Sequence, residues 1–494
     1  MSKKKSILVA TIGTRDLAFC VSSNEWLNLG NDRAPNGDSI SEQALVQMEV
    51  KLEKSDFRLL TEYLLENWEY YQEQLQPIIL GKLLQDEHKH LKEIYLVATD
   101  QAELIKYRDK DTLYAAQIIK LWIENHYKVP TKVILQGAEG GNPADFEAMF
   151  YWWKQTWQHI AASQEEGTPI LLCVKGGVGA FSEAGRVTAL SRFGEDTLFY
   201  DFIKDDEANC QGKPSEYTIP FKGTNYLWDR KQREALALLK RYDYEAMGRT
   251  LKSYYRGADA STANGQMILR VKILVEAATK WNQGDFKGFV EALGELALTR
   301  SRQWWWTGYE AAYLGATRFK QGNTVEALFH TFRAVEGLMC EWAIYTFPDD
   351  VVLRDRPDDI SRSMVPLVKK SIARHPGLQT YLNEFKGESE IPLYGTSLDN
   401  LVKQAKPTYT QSREINKFWD VAKLWRNQLF HRLLGLGKDE VFWAWDTSNQ
   451  KEWESRVLGC LNFLSSLDFT SLSEVSLMFQ VHEELKEAIT SYQP

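Results

Sequence analysis

The chain has 494 residues, a length that calls for two or three domains rather than one. With 44% hydrophobic and 26% charged residues its composition is that of an ordinary globular protein, and a net charge of −8 excludes a wholly basic nucleic-acid coat while leaving room for a local basic site. No stretch has the length of a membrane span, and the apolar run at residues 7–12 is too short for a signal-peptide core. The five cysteines are scattered without a CxxC pair, so neither a disulfide framework nor a zinc site is expected, and a reduced, cytoplasmic protein is.

Over the first two hundred residues, short apolar runs alternate with helical patterns. Residues 6–12 read as a buried strand, followed by a polar loop through Pro35 and Asp38, and residues 57–74 have helical spacing. Further strands are predicted at 93–99, 132–136, 169–174 and 197–203, with helices at 112–127, 145–160 and 181–193 between them. Continuously apolar strands separated by helices indicate a parallel sheet covered on both faces, the doubly wound, Rossmann-like α/β class. Residues 204–224 are polar and contain Gly212, Pro214, Pro220 and Gly223, which places a domain boundary there. Beyond it there is almost no strand signal. Helical patterns recur at 233–241, 244–255, 266–281, 286–298, 309–319, 324–347, 412–434, 453–467 and 472–489, so the second part is expected to be all-α.

In an open parallel sheet, ligands bind beyond the carboxyl ends of the strands. The residues following the predicted strands are small, polar or glycine-rich: Gly13, Thr14, Arg15 and Asp16; Asp100 and Gln101; the segment 137–143; and Lys175, Gly176, Gly177, Val178 and Gly179. Glycines let backbone N–H groups approach an anion, and Lys175 and Arg15 offer charge to phosphates. One such loop is no more than a tight turn; four on one sheet edge favour ligand binding. There is no GxxxxGK[ST] loop and no GxGxxG after the first strand, which disfavours ATP hydrolysis and dinucleotide chemistry.

In the helical part the richest cluster is the segment 425–431. On a helical wheel Trp425, Leu429, Phe430, Leu433 and Leu434 share an apolar face, Asn427 and His431 stand four apart on one side, and Arg426 falls amid the apolar face. Two explanations stay open on these residues alone. Arg426 is a buried arginine paired with a carboxylate such as Glu336, beside a core histidine; or His431 takes the proton of a ribose 2′-OH while Arg426 steadies charge on the phosphate, without a metal. The second needs both a base and an acid, so a two-fold dimer apposing two such motifs would complete it.

The segment 425–431 resembles the signature of HEPN ribonucleases: Arg426, a polar Asn427, and His431 after four intervening residues. Residues 330–337 look like the supporting helix of that family, with Arg333 and Glu336 in support of catalysis. The first domain resembles CARF domains, sensors of cyclic oligoadenylate, through the segments 10–14, 98–101, 142–145 and 175–178. The resemblance implies a CARF–HEPN ancillary ribonuclease of type III CRISPR defence. It would have a sensor at 1–224, a helical spacer at 225–300 and a ribonuclease domain at 301–494. It implies a homodimer, outside any stable CRISPR effector complex, that cuts single-stranded RNA, uses no catalytic cofactor and takes cyclic oligoadenylate as allosteric activator. The implied ligand residues are Thr11, Gly13, Thr14, Arg15, Thr99, Asp100, Gln101, Asn142, Lys175, Gly176, Gly177 and Val178. Val178 stands where family members often carry a hydroxyl residue, a departure that tells against cleavage of the ligand by the sensor. The competing readings are a ligand-binding regulator whose helical half binds protein or DNA, and a metabolic enzyme acting on a nucleotide.

Overall fold

A computed structural model describes residues 5–22, 25–30, 56–137, 141–162, 164–165, 167–203, 205–353, 366–385, 388, 390–431 and 436–494, without the side chains of residues 21, 22, 25, 206, 210 and 429–431. The chain divides into two compact units, Met1–Trp228 and Asp229–Pro494.

The first unit is built on strands β1 (Ser6–Thr11), β2 (Leu17–Ser22), β3 (Glu25–Asn28), β4 (Leu75–Pro77), β5 (Leu91–Asp100), β6 (Thr131–Gly137), β7 (Ile170–Cys173), β8 (Thr197–Phe199) and β9 (Phe221–Lys222). Its main sheet runs β6-β5-β1-β7-β8-β9, parallel except for the antiparallel edge strand β9. Alternation along each strand divides the core in two. Leu8, Ala10, Ile94, Leu96, Ala98, Leu171 and Cys173 belong to one buried cluster, which helices α1 (Phe57–Glu66) and α2 (Leu113–Tyr127) join through Leu60, Leu64, Ile119 and Ile123. Ile7, Val9, Tyr95, Val97, Ile170 and Leu172 belong to the other, with Trp153 and Trp157 of α3 (Phe146–Ala161) and Phe181 and Ala184 of α4 (Gly179–Phe193). The sheet is thus covered on both faces, as the uninterrupted apolar runs require. The chain leaves β1 toward β5 and β6, then crosses to β7 and β8 on the other side. The switch point therefore lies between β1 and β7, where loops diverge and leave a crevice.

Three local expectations are corrected. The segment after β1 is not simply a polar loop: β2 and β3 form an antiparallel hairpin that, with β4, makes a second sheet in the order β3-β2-β4. Its Leu17, Phe19, Leu27 and Leu75 join the first core cluster. The stretch around Pro35–Asp38 lies outside the described residues. The helix expected at 57–74 is helical but not continuous: it breaks at Asn67, whose side-chain amide donates to the Tyr63 carbonyl at 2.9 Å, and resumes as a short helix at Trp68–Tyr71 and a 3-10 turn at Gln72–Gln74. The fifth strand ends at Phe199, and Phe202 makes an isolated bridge to Tyr217.

The second unit contains α5 (Ala263–Asn282), α6 (Trp306–Lys320), α7 (Thr324–Thr346), α8 (Gly395–Ala405), α9 (Lys423–His431), α10 (Gln450–Ser465) and α11 (Leu477–Ser491) among other helices. Helices α6 and α7 pack along each other at close range because α6 carries glycine at the contact. A Cβ on Gly315 would stand 2.6 Å from the Thr331 methyl, and one on Gly308 3.0 Å from Leu338 Cβ. The buried Glu310 carboxylate ties three helices together. It accepts from Trp281 Nε1 of α5 at 2.9 Å, and from Ser476 Oγ and the Leu477 N–H at the start of α11 at 2.8 and 2.6 Å. Burial pushes this carboxyl above its ordinary range, against those bonds, which favour the charged form. The unit is helical, as expected, with one addition. Strands β10 (Val351–Val352), β11 (Leu367–Lys369) and β12 (Glu390–Pro392) make a small antiparallel sheet seated on buried Val351, Val368 and Ile391. Strands of two or three residues carry no period that a sequence can display. Among the described residues no helix is long and apolar enough to cross a membrane.

Candidate active site and ligand cavity

At the switch point of the first unit lies a cavity of about 410 Å³. Gly13, Thr14, Arg15 and Asp16 after β1 line it, together with Lys175, Gly176 and Gly177 after β7. The two loops touch backbone to backbone: a Cβ on Gly176 would stand 2.6 Å from the Thr11 carbonyl oxygen, and Gly177 has φ +93°. Glycine is required at both for steric reasons, which brings backbone close to whatever fills the cavity. Lys175 Nζ donates to the Phe202 carbonyl at 2.8 Å and pairs with Asp201 at 2.8 Å, so its charge is anchored at the cavity wall. Asp16 is buried, and desolvation pushes its carboxyl up to about 7 despite a bond accepted from the Gly13 N–H.

Six of the twelve expected ligand residues line this cavity: Gly13, Thr14, Arg15, Lys175, Gly176 and Gly177. The other six do not. Thr11 is buried at the end of β1. Thr99 bonds Thr112 through its backbone N–H, at 3.2 Å. Asp100 pairs with Arg58 at 2.8 Å, and Arg58 also reaches the buried Asp111 at 3.1 Å. Gln101 gives its backbone and side-chain N–H groups to the same Asp111, at 2.5 and 3.0 Å. Asn142 accepts from the Ala144 N–H at 3.0 Å, and Val178 is half exposed at the N-terminus of α4. The sequence reading missed Asn28, Ile79, Phe202, Ile203, Asn209 and Ser215, which complete the lining from β3 and from the segments after β4 and β8. Only the tertiary fold brings them to the switch point.

In the second unit, a cavity of about 680 Å³ brings together Arg426, Arg333 and Glu336. Arg426 sits on α9, which follows a single π-helical turn at Phe418–Ala422. Its guanidinium lies 4.2 Å from the centre of the Phe332 ring and 3.6 Å from Glu336 Oε2. Phe418, from the π turn, stacks on the same Phe332 ring at 4.7 Å and 30°. Glu336 Oε1 accepts from the Gly395 N–H at 3.3 Å, which fixes the carboxylate against the start of α8. The arginine placed amid an apolar face thus has an intrachain explanation, an aromatic ring and a carboxylate of α7, and does not by itself call for a second copy of the chain. Asn427 is exposed and outside this cavity. His431 is the last residue of α9, and its side chain lies outside the described set. His330, one turn from Arg333, is half-buried; desolvation, reinforced by Arg318 and Arg333, pushes it down to about 4 and holds it neutral. Among the described residues no group of three His, Cys, Asp or Glu side chains is placed to hold a metal ion.

No protein-family profile matches the chain, and no curated protein matches it in sequence. Among solved structures, the chain is similar to Enterococcus italicus Csm6 bound to cyclic hexa-2′-fluoro-hexa-dAMP. The TM-score is 0.55 at 14% identity, covering 98% of this chain and 100% of that one. At that identity the likeness speaks for fold. At the level of fold the resemblance drawn from the sequence motifs holds: this chain, like that Csm6, folds along its whole length, here as a Rossmann-like sheet unit followed by a helical unit.

Proposed function

We propose that this chain is an endoribonuclease switched on by cyclic oligoadenylate and acting in CRISPR antiviral defence in the cytoplasm, with residues 1–224 as sensor, 225–300 as helical spacer and 301–494 as ribonuclease domain. The observation that carries the reading is the meeting of Arg426, Arg333 and Glu336 in one cavity of the helical unit. The fold adds support, because the Csm6 to which it is similar was solved with a cyclic hexa-adenylate analogue.

The reaction is an internal transesterification of single-stranded RNA. His431 takes the proton of the 2′-OH, the 2′ oxygen attacks phosphorus, and the bond from phosphorus to the 5′ oxygen breaks. Arg426 stabilises the charge that grows on the phosphoryl oxygens, and Asn427 adds a hydrogen bond. Glu336 holds the guanidinium, and Arg333 adds positive charge at the cavity. A homodimer supplies a second histidine as acid. The sensor cavity takes the cyclic ligand, with Gly176 and Gly177 admitting backbone N–H groups to phosphate and Arg15 and Lys175 supplying charge.

Cleavage of labelled single-stranded RNA, with and without cyclic tetra- and hexa-adenylate, tests this. Cleavage that requires ligand, persists in EDTA and is lost in Arg426→Ala and His431→Ala is the expected result. Tight ligand binding without cleavage under any condition would instead establish a non-catalytic sensor, in which the Arg426–Glu336 pair is purely structural.

A further inference from the structure

The cavity beside Arg426 extends well past the groups that the cleavage chemistry uses. Along α7 it is lined by Phe329, Arg333, Glu336, Gly337 and Cys340, a single stripe at helical spacing. Tyr394, 59% exposed at the start of α8, contributes a second aromatic ring to the lining.

Gly337 is the unexplained member of that stripe. It lies inside a 23-residue helix, where glycine costs about 1 kcal/mol relative to alanine. Gly308 and Gly315 of α6 are explained by packing, since a Cβ on either would press on α7. A Cβ on Gly337 would meet nothing within 4 Å. What the missing side chain preserves is open volume on the cavity floor.

We infer that this cavity is a slot for one base of the RNA strand, next to the phosphate that Arg426 holds, with Phe329 and Tyr394 as stacking surfaces, Glu336 as reader and Gly337 as the residue that keeps it open. The inference rests on the ribonuclease reading above. Its volume of about 680 Å³ lies within the range of small-molecule sites. Exposed aromatic rings are the usual platforms for splayed-out RNA bases. Glu336 accepts one N–H from Gly395 and faces Arg426 with its other oxygen, and a carboxylate has about four lone-pair positions, so acceptor capacity remains. Adenine, guanine and cytosine present an amino group on the pairing edge; uracil presents a single N3–H flanked by two carbonyl oxygens, which repel an approaching carboxylate. The slot therefore selects amino-bearing bases over uracil.

The test uses the full chain. With activator present, cut sites are mapped on an RNA of mixed sequence, and binding is measured with uncleavable 2′-O-methyl oligonucleotides of A, C or U by fluorescence anisotropy. Cuts beside adenine, guanine or cytosine are expected to exceed cuts beside uracil about ten-fold, the order of one hydrogen-bonded contrast. Gly337→Leu should lower kcat/KM for RNA at least ten-fold, and Gly337→Ala should lower it less while raising Tm. Glu336→Gln should erase the preference against uracil. Unchanged rates and cut sites in Gly337→Ala and Glu336→Gln overturn the slot, whether or not Gly337→Leu folds. If the wild-type chain cuts no RNA, the ribonuclease reading fails separately; equal binding of the A, C and U oligonucleotides then overturns the slot as well, and tighter binding of A and C that Gly337→Leu abolishes supports it.

Discussion

Arg426 and Phe332 form a stacked pair, with the guanidinium carbon 4.2 Å from the ring centre. The same ring stacks on Phe418 from the preceding π turn, so the seat of the cation is built from aromatic side chains of two helices. A carboxylate alone would pair with its charge without giving it that seat.

Phe332→Leu should leave Arg426 paired with Glu336 but free to tilt. Cation–π contacts contribute about 0.5–2 kcal/mol, so kcat for RNA cleavage should fall about ten-fold with little change in KM. Phe332→Tyr, which retains the ring, should restore most of it. Single-turnover kinetics with saturating activator would check both.

Glu310→Ala removes the buried carboxylate that accepts from Trp281, Ser476 and Leu477 together. Leaving such donors without an acceptor costs about 1–3 kcal/mol each in the worst case, so a stability loss of about 3 kcal/mol is expected. Thermal melting would show it as a fall in Tm. Activator binding should survive at temperatures where the variant is folded, because the first unit does not depend on this carboxylate.

Asp16 gives a pH dependence whose sign follows from its raised folded value of about 7 against the ordinary 3.8. The folded chain holds this proton more tightly than the unfolded chain. The contribution to stability is fully present below the unfolded value and is lost as pH rises through about 7. Asp16→Asn keeps an oxygen to accept the Gly13 N–H and cannot ionise. The excess of its Tm over the wild type should be smallest below about pH 4, grow as pH rises toward 7 and level off at several degrees by pH 8, in melts at matched ionic strength.

Gly176→Ala forces a methyl group into the backbone of the loop after β1, within 2.6 Å of the Thr11 carbonyl oxygen. No rotamer relieves a clash between Cβ and backbone. The loops must part, and titration calorimetry should find binding of cyclic oligoadenylate lost, while Val178→Ala, outside the cavity, should bind within about three-fold of wild type.

Much of the first unit was legible because buried parallel strands write themselves as uninterrupted apolar runs, as at Leu8, Val9 and Ala10 or Leu171 and Leu172. The hairpin of β2 and β3 was missed although β2 is as long as β1: β3 has only four residues, and the sheet is completed by a distant pairing that joins Phe19 to Leu75. The ligand loops show the limit of reasoning from strand ends. Position alone could not separate Lys175 and Gly176, which face the crevice, from Asp100 and Gln101, which are held by Arg58 and Asp111. A salt bridge between residues 42 apart has no local signature. In the helical unit the spacing of Arg426, Asn427 and His431 was visible, as was Glu336 as a partner. Phe332, Gly337 and Tyr394 were not, since their meeting with Arg426 depends on how α7, α8 and α9 cross.

The π-helical turn before α9 has a consequence for how this motif tolerates change. It accommodates one residue more than a regular helix would, and each residue turns an α-helix by about 100°. The turn therefore works as a clocking device: it sets the angle at which everything downstream faces α7. Deleting Val421 would let the turn close to regular α-helix with Arg426 still facing Phe332 and Glu336, because the π turn holds one residue more than an α turn. One residue inserted at Lys423, by contrast, would leave every residue of the motif in order yet rotate Arg426 by about 100° away from them. A comparison that counts only the spacing from Arg426 to His431 would score such a variant as intact, although its arginine would face the wrong way.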